Sequence, residues 1–68
     1  MTIELMERKW PIGTRIKIVE TDLFGTKEAF KGTVTGSYSE YGFCVKMDNG
    51  ITRRIWPEED HFSVIYHE

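Results

Sequence analysis

Gly42-Phe43-Cys44-Val45-Lys46-Met47-Asp48-Asn49-Gly50-Ile51-Thr52-Arg53-Arg54-Ile55-Trp56 is the stretch whose reading decides the fold. Phe43, Val45 and Met47 alternate with Cys44, Lys46 and Asp48, the period-2 pattern of a strand with one buried face. Asp48-Asn49-Gly50 is a turn signal, because Asn and Gly tolerate positive φ cheaply. The loop length follows from register. A two-residue loop at Asn49-Gly50 sets Ile51 and Ile55 on the face opposite Phe43, Val45 and Met47. A three-residue loop closed by Gly50 pairs Met47 with Ile51 and Phe43 with Ile55, and unites the apolar residues. One residue of slip flips a whole face, so the three-residue loop is expected.

Working outward, Thr2 to Trp10 holds the one helical hint. Ile3, Met6 and Trp10 fall at helical spacing, and Thr2 is placed to cap the first turn. So short a helix is marginal alone, so residues 1–10 read as a turn or frayed arm that docks through Trp10 and stops at Pro11. Pro11-Ile12-Gly13-Thr14 is a turn. Arg15 to Glu20 is the first strand, with Ile16 and Ile18 inward and Arg15 and Lys17 outward. Thr21 to Ala29 has no clean periodicity and reads as a long loop. Phe30 to Tyr38 is the second strand, with Gly32, Val34, Gly36 and Tyr38 on one face. After the hairpin, Pro57-Glu58-Glu59-Asp60 reads as one tight helical turn, with Pro first and acids near its N-terminus. His61 to Tyr66 is the last strand. The expectation is therefore an all-β fold: five strands closed into a small barrel over residues 11–68, which removes exposed edges.

Size and composition narrow the function. With 68 residues this is one domain near the lower size limit. Burial of a dozen or so apolar side chains, about 1.5–3 kcal/mol each, barely offsets chain ordering at about 1–2 kcal/mol per residue. That leaves no room for a deep catalytic cleft. There is no nucleophile beside a base, no phosphate loop and no metal-ligand cluster, so no enzyme and no cofactor are expected. Cys44, His61 and His67 are too few and scattered for a metal site, and Glu58-Glu59-Asp60-His61 reads as a solvated polar turn. No run approaches a membrane span and no signal-peptide pattern is present, so the cytoplasm is the expected location. A single cysteine excludes an internal disulfide.

Binding is the remaining class. Aromatic residues make up 13% of the chain and the net charge is −2, a balance that favours a protein partner. Tyr38, Tyr41 and Phe24 are candidates for an aromatic peptide groove, with Phe24 alternatively capping the barrel. Arg54 and Trp56 share a face and form a candidate stacking pair, unless Trp56 folds over the barrel edge. Arg53 falls on the apolar face opposite Val45, uncomfortable away from an open end. A second reading is nucleic-acid binding through Arg15, Lys17, Arg53, Arg54 and Trp56, which the acidic balance disfavours. A third is a structural or assembly subunit.

Several stretches resemble a group of short uncharacterised bacterial and phage proteins. They are Pro11-Ile12-Gly13-Thr14-Arg15-Ile16-Lys17-Ile18-Val19, Lys31-Gly32-Thr33-Val34-Thr35-Gly36, Val45-Lys46-Met47-Asp48-Asn49-Gly50 and Glu59-Asp60-His61-Phe62-Ser63-Val64-Ile65. The resemblance covers about residues 11–65 and rests on turn and strand chemistry. It implies an SH3-like barrel of unassigned function, carried by phages or mobile elements, and so a modulator or inhibitor of a host protein. More distantly the chain is similar to KOW modules, which are more basic. It also shares a Gly-Thr-Val step with CAP-Gly domains but lacks their Gly-Lys-Asn-Asp-Gly motif. Fold alone transfers no activity.

Overall fold

Alternating apolar residues produce five antiparallel strands in one sheet, seen in a computed structural model that describes residues 2–66. Met1 of the expected arm, and His67 and Glu68 at the end of the expected barrel, lie outside the described residues. The elements are helix α1 (Ile3–Lys9) and strands β1 (Arg15–Thr21), β2 (Lys27–Gly36), β3 (Phe43–Met47), β4 (Thr52–Ile55) and β5 (Phe62–Val64). The sheet order is β4-β3-β2-β1-β5.

The central hairpin has the register expected of a three-residue loop. Phe43 faces Ile55 and Val45 faces Arg53. The Met47 N–H donates to the Ile51 carbonyl at 2.8 Å, and Gly50 adopts φ +92°. The core unites Met6, Trp10, Ile16, Ile18, Val34, Phe43, Val45, Met47 and Ile55, with Phe30, Tyr38, Phe62 and Val64 packed against it. Trp10 anchors its aromatic part, with ring centroids 5.4 Å from Phe43 and 5.3 Å from Phe62.

The N-terminal arm is a regular two-turn helix rather than a frayed segment. Thr2 Oγ1 accepts the Leu5 N–H at 3.2 Å, as an N-cap does. Tertiary burial then supplies what so short a helix lacks: Met6 is 1% exposed and Trp10 7%. Ile3, placed on the same face by spacing, stays exposed.

Two expectations about the strands are corrected. First, the loop expected over Thr21–Ala29 is mostly sheet. β1 and β2 stay paired out to Thr21 opposite Lys27, and only residues 22–26 turn. Asp22 makes that turn: its Oδ1 accepts the Phe24 and Thr26 N–H groups at 2.8 and 2.9 Å. This outer ribbon is exposed on both faces, so neither face imposes the alternation that reveals a strand. Second, the sheet is not closed. Its edges are β4 and β5, short strands separated by a single turn in which Glu59 and Asp60 donate their N–H groups to the Trp56 carbonyl. Short edges are themselves a defence against stray pairing, so closure is not needed to protect them. β2 also ends earlier than expected, at Gly36, because Ser37 takes φ +53° and turns the chain. β5 spans three residues of the six expected.

Candidate functional site

The surface divides by strand parity. Residues beside the core point inward, and their chain neighbours form the outer face of the sheet. In register on that outer face lie Arg15 and Lys17 of β1, Lys27, Lys31 and Thr33 of β2, Cys44 and Lys46 of β3, Thr52 and Arg54 of β4, and Ser63 of β5.

The basic residues singled out in the sequence part company here. Arg15 is held by a bidentate pair with Asp48, at 2.7 and 2.9 Å, and also donates to Thr33 Oγ1 at 2.9 Å. This guanidinium holds the Asp48 carboxyl below its ordinary range. Lys17 stays exposed, directly opposite Lys31. Arg53 faces inward and pairs with Glu20 of β1, with the Asp60 carboxylate 3.8 Å away. That resolves its awkward position: it sits at an open end of the core, neutralised by two acids from elsewhere in the fold. Arg54 turns to the 37–42 loop and donates to Ser39 Oγ, with Cys44 Sγ at 3.7 Å. Arg54 thus joins that loop to β3.

The aromatic candidates are also separated. Phe24 stands at the tip of the β1–β2 hairpin, 93% exposed, so it caps nothing and joins no groove. Tyr38 belongs to the core wall: its ring lies 6.0 Å from Phe43 and its hydroxyl donates to the Trp10 carbonyl. Burial, with Glu7 nearby, raises its pKa above the usual phenol value. Tyr41 and Trp56 do come together, with centroids 6.3 Å apart, and both remain exposed. Beside Tyr41, Ile3 and Leu5 of α1 complete a shallow groove with Thr2, Glu40 and Glu58 along it.

Sequence reasoning did not find Ile3 and Leu5 as surface residues, because helical spacing assigned Ile3 to the core and gave Leu5 no role. It also passed over Lys31 and Lys46, although parity with Val34 and Val45 already places both outward.

No family model, curated protein or solved structure matches the chain.

In the acidic turn, Asp60 is tied to the fold. The Asp60 carboxylate accepts the Trp56 N–H at 2.8 Å and faces Arg53, so it has a structural role. Among the described residues, no three His, Cys, Asp or Glu side chains converge as a metal ion requires. No described helix is long and apolar enough to cross a membrane.

Proposed function

We propose that the chain is a non-enzymatic binding module of SH3-like build whose partner is a protein. The observation that carries this reading is the exposed apolar groove of Ile3, Leu5 and Tyr41, with the Trp56 ring tilted beside that of Tyr41. Large side chains left in water beside one another, rimmed by polar groups, are what a partner's apolar residues bury. Glu40 on the rim suits a segment that mixes apolar and basic side chains. The SH3-like reading is supported by strand order: a four-strand meander whose fifth strand returns beside the first after one helical turn. The resemblance of residues 11–65 supports the further reading that the chain is a phage- or mobile-element-borne modulator of a host protein, acting in the cytoplasm.

The test is a paired capture from host lysate with the wild-type chain and with Leu5→Ser/Tyr41→Ala. The reading expects a stoichiometric protein that the wild type retains and the variant loses. Retention of the same proteins by both chains would sink it.

A further inference from the structure

We infer that the chain assembles head to tail with copies of itself: Leu23 and Phe24, at the tip of the β1–β2 hairpin, seat in a second groove, formed by Pro11, Ile12, Gly36 and Tyr38 on the next copy. This groove shares no residue with the one of Ile3, Leu5 and Tyr41. Leu23 is 100% exposed and Phe24 93%, more than any other large apolar side chain among the described residues. The tip that carries them is built rather than slack. Asp22 Oδ1 accepts the Phe24 and Thr26 N–H groups, the Asp22 N–H donates to the Thr26 carbonyl at 3.0 Å, and Gly25 takes φ +81°. A knob already held in shape loses little freedom when it docks.

The receiving groove lies at the other end of the same ribbon. Thr21 opposite Lys27 is the last rung before the tip, and Arg15 opposite Thr33 is the last before the groove. The groove has a volume of about 530 Å³, and Ile12 in its wall is exposed. Gly36 keeps it open, because a Cβ there would lie 3.3 Å from Ile12 Cδ1. A knob at one end and a socket at the other make a heterologous contact, which propagates from copy to copy. Charge favours this occupant. Lys27 stands at the foot of the knob and Glu7 on the rim of the socket, and neither has an ion-pair partner among the described residues. Docking offers each a charge of opposite sign. Of the acids near the tip, Asp22 is committed to the turn and Glu20 to Arg53. Two knobs meeting each other would set Lys27 against Lys27 and offer no cavity.

So small a contact is weak, with a dissociation constant on the order of 100 μM. The experiment is sedimentation equilibrium of the intact chain from about 20 μM to about 1 mM, a range that brackets that value. The average mass of the wild type should climb past that of a dimer at the highest concentration. Leu23→Ser/Phe24→Ser removes the knob and Ile12→Glu spoils the socket. Each variant should stay monomeric throughout, and since all three side chains are exposed, circular dichroism should show both folded. Mixed in equal amounts, the two variants should regain association and stop at a dimer, because each keeps the half that the other lacks. Lys27→Glu should weaken assembly about threefold, and Glu7→Lys in the same chain should restore it. Leu5→Ser/Tyr41→Ala should assemble as the wild type does, so loss of the protein-binding reading and loss of this one are distinguishable. A wild type that stays monomeric at the highest concentration overturns the inference; if it then floats with phosphatidylcholine vesicles, the tip's occupant is a bilayer. A mixture of the two variants that stays monomeric overturns it as well, as does loss of assembly in Leu5→Ser/Tyr41→Ala.

Discussion

Gly42 carries no side chain because the backbone of β4 occupies the space: a Cβ there would lie 1.8 Å from the Ile55 carbonyl oxygen. At Gly32 a Cβ would meet side chains instead, Val45 Cγ1 at 2.6 Å and Met47 Sδ at 2.8 Å, which yield somewhat. At Gly50 nothing lies within 4 Å, and the penalty comes from φ +92° alone. Alanine substitutions should therefore rank by mechanism. Gly42→Ala should cost more than about 3 kcal/mol, Gly32→Ala about 1–3 and Gly50→Ala about 1–2. Urea midpoints measure the order, and a Gly50→Ala cost equal to that of Gly42→Ala would refute it. Asp48 supports a second prediction, with its sign set by Arg15. Its folded pKa is lowered, so its contribution is complete above the ordinary carboxylate value of about 3.9 and fades as pH falls through the depressed folded value. The difference in melting temperature between wild type and Asp48→Asn should be constant near neutrality and shrink toward pH 2. A difference unchanged down to pH 2 would exclude the pair with Arg15 as its source.

Hairpins and helix differ in how much of them the sequence disclosed, for a physical reason. The β3–β4 hairpin was legible down to its register because one face is buried and a single slip would expose Phe43, Val45 and Met47. The outer half of the β1–β2 hairpin was not. Val19 to Thr21 and Lys27 to Ala29 are exposed on both faces, so the chain there is held by ladder bonds and by Asp22, neither of which leaves an apolar pattern. The same fact predicts the behaviour of its tip. Leu23 and Phe24 are 100% and 93% exposed, so Leu23→Ser/Phe24→Ser should leave stability within about 0.5 kcal/mol of wild type. A large loss would mean that Phe24 caps the core after all. Helix α1 should behave oppositely. Met6 is sealed under the sheet, and Met6→Ala should cost about 2–5 kcal/mol by leaving a cavity. Thr2→Ala removes only the cap, about 1 kcal/mol. Chemical denaturation monitored by Trp10 fluorescence reports both.

At the scale of the molecule, what sequence reading could not supply was assembly across the sheet. Arg15, Lys17, Arg53 and Arg54 were visible as cations, but only register shows that Arg53 leaves the group and that Lys31 and Lys46 join it. Likewise Phe24, Tyr38 and Tyr41 were plausible neighbours until the fold sent one to a hairpin tip and one into the core wall. The pairing of Arg53 with Glu20 carries the clearest long-range information. β4 and β1 are three places apart in the sheet order, about 14 Å in a flat sheet, so side-chain contact between them requires strong curling. Because no ladder joins β4 to β5, the two ends of this open sheet are held by the turn at residues 57–60, by the shared core and by this ion pair. Arg53 touches both Glu20 and the Asp60 that orders the turn, so its loss should loosen the β4 edge selectively. Arg53→Met should cost about 1 kcal/mol and speed hydrogen exchange at β4 amides more than at β1 or β2. Glu20→Gln combined with Arg53→Met should cost less than the sum of the single changes, because both remove the same contact. Strictly additive costs, with uniform exchange across the sheet, would show that the core alone sets the curl.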